Sequence, residues 1–399
     1  MPARLLLVER LFDGENALTD AAMLIEGGRI RWVGKRSRAP GAKGATEESV
    51  PKRTTLLPVF VNCHIHLTGI GSPDIGEIAR ASEAELALRA VTNALRGLAA
   101  GVTTVRDLGA PSHAAIQLAK AIARAELSGP NVVAAGRGIT STGAHGWEVG
   151  RQADGPDEVR KAVREQLFAG ASVIKLFSTG GVLGTGAPPD VAQLTLEGTR
   201  AAVEEAHGRG LRVTTHAHAT KGMRIAVEAG VDSIEHATLL DQETIRLCKA
   251  KGVALVPTFA ALRAIIRNRE RLDAGTLERA NAVAERHQEG IRAAHRAGLT
   301  IAAGTDAGTP FNYAEDFANE LEALVEIGMS TEVALRAATS VAATVIGRSD
   351  IGRLREGARA DLVALRGDPF KDITAAWHVA AVWKDGERIA ATSAPPRRA

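Results

Sequence analysis

The stretch VNCHIHLTG, residues 61–69, sets an apolar, β-branched run against two histidines one residue apart. Successive side chains of a strand alternate between its two faces, so His64 and His66 leave the strand end on the same side. Seven further runs of the same character follow. They are GVTTVRDLG (101–109), NVVAAGRGIT (131–140), SVIKLFSTGG (172–181), LRVTTHAHAT (211–220), VDSIEHAT (231–238), GVALVPTFA (252–260) and LTIAAGTDAG (299–308). Alanine-rich segments separate them, among them 83–100, 195–210 and 331–347, with apolar residues at helical spacing. Strands alternating with helices predict an α/β chain, either a closed (β/α)8 TIM barrel or an open doubly wound sheet; eight runs favour the barrel.

Both ends of the chain read differently. LLLVERLFDG, AAMLIEGGRIRWVGK and TTLLP at one end, and ADLVALRGD and AAVWKDGERIA at the other, are short strand candidates with turns at DG and GG. Neither set can bury much alone. The simplest organisation is one composite β-sandwich domain from residues 1–57 and 350–399, with the barrel of residues 58–349 inserted in it. The closing TSAPPRRA is expected to be a disordered tail.

Composition narrows the function classes. The 399 residues are 45% hydrophobic, enough for sizeable cores, and 49 basic against 46 acidic residues leave no strongly basic field. With aromatics at 3% and one tyrosine, Tyr313, no base-stacking platform is expected, and so no nucleic-acid partner. Cys63 and Cys248 cannot make a disulfide framework in a chain this long, which points to a reducing, cytoplasmic compartment. The N-terminal apolar run is broken by Glu9 and Arg10, and no stretch of about 18 apolar residues runs without charge, so neither a signal peptide nor a membrane span is expected.

Polar residues recur where the strands should end. Besides His64 and His66, Lys175 lies in VIKLF, His216 closes the fifth run, His236 the sixth, and Asp306 sits in GTDAG. Six polar groups on five strand ends, all at the face where such barrels carry their chemistry, are the expected ligands of a shared metal site. A lysine inside an apolar strand needs a reason, because burying an unpaired ammonium costs several kcal/mol.

These motifs, HIH (64–66), VIKL (173–176), HAHAT (216–220), SIEHAT (233–238) and GTDAG (304–308), resemble the amidohydrolase superfamily over the whole chain. Within it, the resemblance is to the imidazolonepropionase-like branch with its Xaa-Pro dipeptidase-type and ochratoxin-hydrolysing amidases. The resemblance implies two divalent metal ions, zinc first among candidates. His64, His66 and Asp306 would hold one ion, His216 and His236 the other, and a carboxylated Lys175 would bridge them. Where the family reads LPGLIDxHxH, this chain has Val59 for the glycine and Asn62 for the acid.

The chemistry explains the residue types. Metal coordination lowers the pKa of water to about 7 and polarises an amide carbonyl, and a carbamate on lysine supplies a two-oxygen anion to span ions roughly 3.5 to 4 Å apart. Asp306 is the expected general base. His145, in STGAHGWEVG, is a candidate donor to the tetrahedral oxyanion and a substrate contact; His218 is a second substrate contact. His113, His207, His287, His295 and His378 are expected at the surface. The glycine-rich STGGVLGTGAPPD (178–190) lacks the GK[ST] ending of a phosphate loop and is expected to shape the substrate pocket. The function expected is amide hydrolysis, of dipeptides or N-acyl amino acids, by a chain that can form a homo-oligomer. The alternatives are a hydrolase of cyclic amides, lactones or esters, and a non-catalytic scaffold.

Overall fold

A computed structural model describes residues 3–40, 44–74, 76–183 and 187–389. The expected C-terminal tail and part of the glycine-rich loop lie outside the described residues.

Parallel strands make up the middle of the chain. Phe60–Ile65, Val102–Asp107 and Asn131–Ala134 pair in that order in one sheet. A second, six-stranded sheet contains Gly150–Gln152, Gly138–Thr140, Ile174–Phe177, Val213–Ala217, Ser233–His236 and Ala254–Val256. Hydrogen bonds join the two at both margins. Ser172 N donates to Ala134 O at 2.9 Å on one side. On the other, the segment 299–306 runs between Ala254–Val256 and Phe60–Ile65, with Leu255 N donating to Thr300 O (2.9 Å), Cys63 N to Ala303 O (3.0 Å) and Asp306 N to His64 O (2.8 Å).

Two of the eight runs depart from expectation. The third breaks at Gly136, whose φ of 73° no β-strand accommodates, so 131–134 and 138–140 pair with different neighbours. The eighth is an irregular segment with isolated bridges at Ile301 and Ala307 instead of a continuous strand. Glycines at 304 and 308 explain this, since a Cβ on Gly304 would meet Val256 Cγ1 at 2.4 Å and one on Gly308 the His66 carbonyl oxygen at 2.3 Å.

Helices cover the strands and obey their caps. Glu83–Ala99 starts at Ser82, whose side chain accepts from Glu85 N, and buries Leu86, Ala90, Ala94 and Leu98 on one face. Leu196–His207 starts at Thr195 in the same way. The stretch 331–347 forms two helices, Thr331–Ala338 and Ser340–Val345, because the Thr339 hydroxyl donates to Leu335 O at 2.7 Å and the backbone turns there.

Both chain ends enter one eight-stranded sheet. Thr54–Pro58 lies between Arg4–Phe12 and Leu362–Arg366, so the N- and C-terminal segments are hydrogen-bonded neighbours. Leu6, Leu11, Met23, Leu56, Leu362 and Trp383 from both ends share one buried core. Among the described residues, no helix is long and apolar enough to cross a membrane.

Candidate active site

The strand Phe60–Ile65 carries Asn62 and His64 on one face, and that face is fixed by the neighbouring segment. Asn62 Nδ2 donates to Thr305 Oγ1 at 2.8 Å, while its Oδ1 accepts from Thr305 N (3.1 Å) and His64 N (3.2 Å). An aspartate there could not donate to the Thr305 hydroxyl; the asparagine both donates and accepts, tying the His64 strand to the turn that bears Asp306.

His64 Nε2 and His66 Nε2 lie 3.2 and 3.1 Å from the same oxygen, Asp306 Oδ1. His66 Nδ1 meets the Gly109 carbonyl at 2.7 Å, so that nitrogen carries the proton and Nε2 presents a lone pair. His236 Nδ1 is 2.7 Å from Thr258 Oγ1, which itself donates to Pro257 O at 2.6 Å; the imidazole therefore donates from Nδ1 and presents Nε2. His216 Nε2 donates to Gly180 O at 3.1 Å and presents Nδ1. Second partners thus fix each ring with a free lone pair, as metal-ligating histidines require. Lone pairs aimed at a carboxylate repel unless a proton or a cation lies between, and His64, His236 and Asp306 offer ligand atoms all within 4.8 Å of one another.

Four residues around this cluster have left-handed backbone: His236 (φ 70°), Ala237 (52°), Thr258 (57°) and Asp306 (57°). For β-branched Thr258 this is costly and marks a constrained turn. At His236 it has a direct consequence. Ser233 and Glu235 face the interior of the ring of strands, so strict alternation would send His236 outward; the positive φ turns it back to the cluster.

Lys175, 1% exposed, makes no hydrogen bond or ion pair among the described residues; its ammonium lies 5.3 Å from the centre of the Phe177 ring. Burial pulls its pKa down to about 8. Burial likewise lowers five of the imidazoles, with His64 and His145 pulled to about 4, His218 to about 3, and His216 and His236 well below the ordinary value. His66 goes the other way: burial pulls it down, but Asp306 and Asp107 outweigh that and raise it. Burial pushes the Asp306 carboxyl up, but His64, His66 and Lys175 together outweigh it and leave it below the ordinary carboxylate range.

His145 and His218 flank His216, each with its ring centre 4.5 Å away. A Cβ on Gly181 would stand 2.2 Å from His145 Cε1, so the glycine loop makes room for this imidazole. His218 N donates to Thr179 Oγ1 at 2.9 Å, and the His218 ring stacks on His236 with centres 5.0 Å apart. All eight sequence-selected residues, His64, His66, His145, Lys175, His216, His218, His236 and Asp306, line one cavity. The cavity measures about 1220 Å³ including its open mouth. The described part of the glycine-rich loop reaches it through Val182 and Leu183.

His287 is not a surface residue. It is 2% exposed, lines the same cavity and packs on Phe259 with ring centres 4.4 Å apart. The inward face of Ala274–Arg296, at Thr276, Ala280, Val283, His287, Ile291 and Ala294, repeats at helical spacing, a signal present in the sequence. His113 and His295 are half-buried, and His113 Nε2 lies 3.0 Å from Gln166 Oε1. Sequence reasoning also missed Glu235 and Arg106. Arg106 donates Nη2 to Glu235 Oε1 (2.7 Å), Nε to Cys63 O (2.6 Å) and Nη1 to Ser233 Oγ (3.1 Å), while Glu235 Oε2 lies 2.9 Å from His64 Nδ1. Both side chains are buried. Glu235 was legible beside His236 in SIEHAT, but nothing local announces its partner on the strand Val102–Asp107, 129 residues earlier.

A ring of parallel strands with a histidine, lysine and aspartate cluster at the strand ends is the arrangement of a hydrolase acting on carbon–nitrogen bonds, and residues 55–389 place the chain in the amidohydrolase family. Among particular proteins, the chain is 32% identical to ochratoxinase of Aspergillus niger, covering 94% of this chain and 84% of that one. It is 26% identical to imidazolonepropionase of Salinispora tropica, covering 90% of each. In structure it resembles a Xaa-Pro dipeptidase with methionine bound in its active site, at TM-score 0.89 and 30% identity over 97% of this chain and 99% of that one.

Proposed function

We propose that this chain is a binuclear metal-dependent amidohydrolase that cleaves amide bonds of small molecules, dipeptides or N-acyl amino acids, in a (β/α)8 barrel of residues 58–349. The sheet of residues 1–57 and 350–399 is then a small β domain folded over its own core as a sandwich. The observation that carries the reading is the convergence of imidazole nitrogens on Asp306, with second partners already fixing the His66 and His236 rings. That donor set fits divalent transition metals, zinc above all. His64, His66 and Asp306 would hold one ion, His216 and His236 the other, with Asp306 and His236 close enough to share, and a carbamate on Lys175 bridging both. Such ions, when bound, lower the pKa of water to about 7 and polarise the substrate carbonyl.

The chain's own groups supply the rest. Asp306 accepts the proton of the attacking water and returns it to the departing amine. His145, neutral and in the cavity, donates to the oxygen on which negative charge grows. His218 contacts the substrate beside it. A lysine pulled to about 8 is a substantial fraction neutral amine near that pH, the form from which a carbamate is made. Incubating metal-replete protein with a library of dipeptides and N-acyl amino acids, read by mass spectrometry, tests the assignment. Release of amines from several members is expected; cleavage of lactones or esters but no amide would transfer the reading to those substrates, and no cleavage of any class would refute it.

A further inference from the structure

The cavity lining is of two kinds. Asp74, Glu77 and Arg89 bring charge, with Arg89 Nη2 paired to Glu77 Oε1 at 3.0 Å. Elsewhere, Ala261, Leu262 and Ile265 fall at i, i+1 and i+4 of the helix Phe259–Arg267 and present one aliphatic face to the cavity. Val283 faces them from Ala274–Arg296, and Val182 and Leu183 close the side. Val182, Ile265 and Val283 are buried, and these residues form an apolar cluster apart from the main core. Its rim is fastened. Arg279, one turn before Val283, donates Nε to the Val182 carbonyl at 2.8 Å and Nη2 to Thr276 Oγ1 at 3.3 Å. Thr258 and the His287 ring, packed on Phe259, line the cavity as well.

From this wall we infer that the cavity contains a subsite for an uncharged apolar group of the substrate, an alkyl chain or unsubstituted ring, between the helices Phe259–Arg267 and Ala274–Arg296 and the residues Val182 and Leu183. The inference rests on the amide-hydrolase reading and adds to it the class of group the substrate carries beside the scissile bond. An alkyl chain entering here leaves water for aliphatic surface. A carboxylate or ammonium placed among these aliphatic side chains would lose its hydration, and the cation at the rim, Arg279, is already committed to the Val182 carbonyl and Thr276.

The test is equilibrium binding of unbranched alkyl sulfonamides, from methyl to hexyl, to metal-replete protein by calorimetry. These mimic an amide but are not cleaved, so the measurement stands apart from turnover. Kd should fall about fourfold per added methylene until the subsite fills. A hexyl analogue ending in a carboxylate should lose that gain, and Leu262→Asp should flatten the series; Leu262→Ala, a milder change, should reduce its slope. A Kd that does not change with chain length in wild-type protein, or a carboxylate-ended chain bound as tightly as the methyl-ended one, overturns the subsite. A steep series in a protein that cleaves no amide keeps the subsite and removes the hydrolase reading.

Discussion

Replacing Glu235 by alanine probes the support beneath the ligand cluster. Glu235 and Arg106 are 0% and 1% exposed and meet at 2.7 Å, so the variant leaves a buried guanidinium with only the Cys63 carbonyl and the Ser233 hydroxyl for company. Breaking a buried pair on one side costs about 3 to 5 kcal/mol, because the remaining charge stays desolvated. The pH dependence gives an independent figure. Burial pushes the Glu235 carboxyl up, but Arg106, His64 and Lys175 outweigh it and bring it from 4.5 to about 2. A depressed acid stabilises the fold above its unfolded pKa and loses that contribution as pH falls through the folded one. The shift corresponds to about 3 kcal/mol, full at pH 7 and fading between pH 4.5 and about 2. Urea unfolding of wild type and Glu235→Ala at pH 7 and at pH 3 should therefore show a gap that narrows in acid. Because Glu235 also stands 2.9 Å from His64 Nδ1, zinc affinity by competition with a chelating dye should drop about 10 to 100-fold. The double variant Arg106→Leu/Glu235→Leu should recover much of the stability and none of the affinity. A single variant within 1 kcal/mol of wild type, or one with unchanged zinc affinity, would refute this reasoning.

Lys175→Ala should lose most bound metal and nearly all activity, and short carboxylic acids at high concentration should restore a fraction of both; elemental analysis and an amide-hydrolysis assay read the result, and full metal content without lysine would defeat the carbamate bridge. His145→Ala should keep its metals and lose about 10² to 10³ in kcat, the usual loss for one oxyanion donor; an unchanged kcat would leave His145 a packing residue. Burial pushes the Glu320 carboxyl up to about 8, with Ala260 N donating to it at 2.8 Å. A raised acid stabilises the fold most below its unfolded pKa and loses that as pH rises through the folded one. Glu320→Gln should accordingly remove a decline in stability between pH 4.5 and about 8, measured by thermal unfolding; an identical decline in the variant would show that the charge lies elsewhere.

Much of the site was legible because its residues end strands, and a strand's two-residue period says which side chains share a face. His64 and His66 obey that rule. His236 does not: it reaches the cluster through a left-handed turn, and the sequence announces only its place after SIE. The eighth run reads as a strand from Leu299, Thr300 and Ile301, yet close approach at Gly304 and Gly308 makes it irregular, a property of its neighbours and not of its own residues. The composite terminal sheet was visible as strand candidates at both ends, while their interleaving through Thr54–Pro58 depends on pairing across some 300 residues. Arg106 was hidden for the same reason. Its partner Glu235 is 129 residues away, and an arginine in an apolar strand shows no local sign of the carboxylate it meets.

If the convergent histidines and Asp306 hold catalytic metal, elemental analysis of the purified chain, by plasma mass spectrometry against protein concentration, will find it. About two transition-metal ions per chain are expected, zinc foremost, lost together with amide hydrolysis on chelation and regained together on adding zinc. A chain that carries no transition metal and gains no activity from zinc, manganese or cobalt would contradict that expectation.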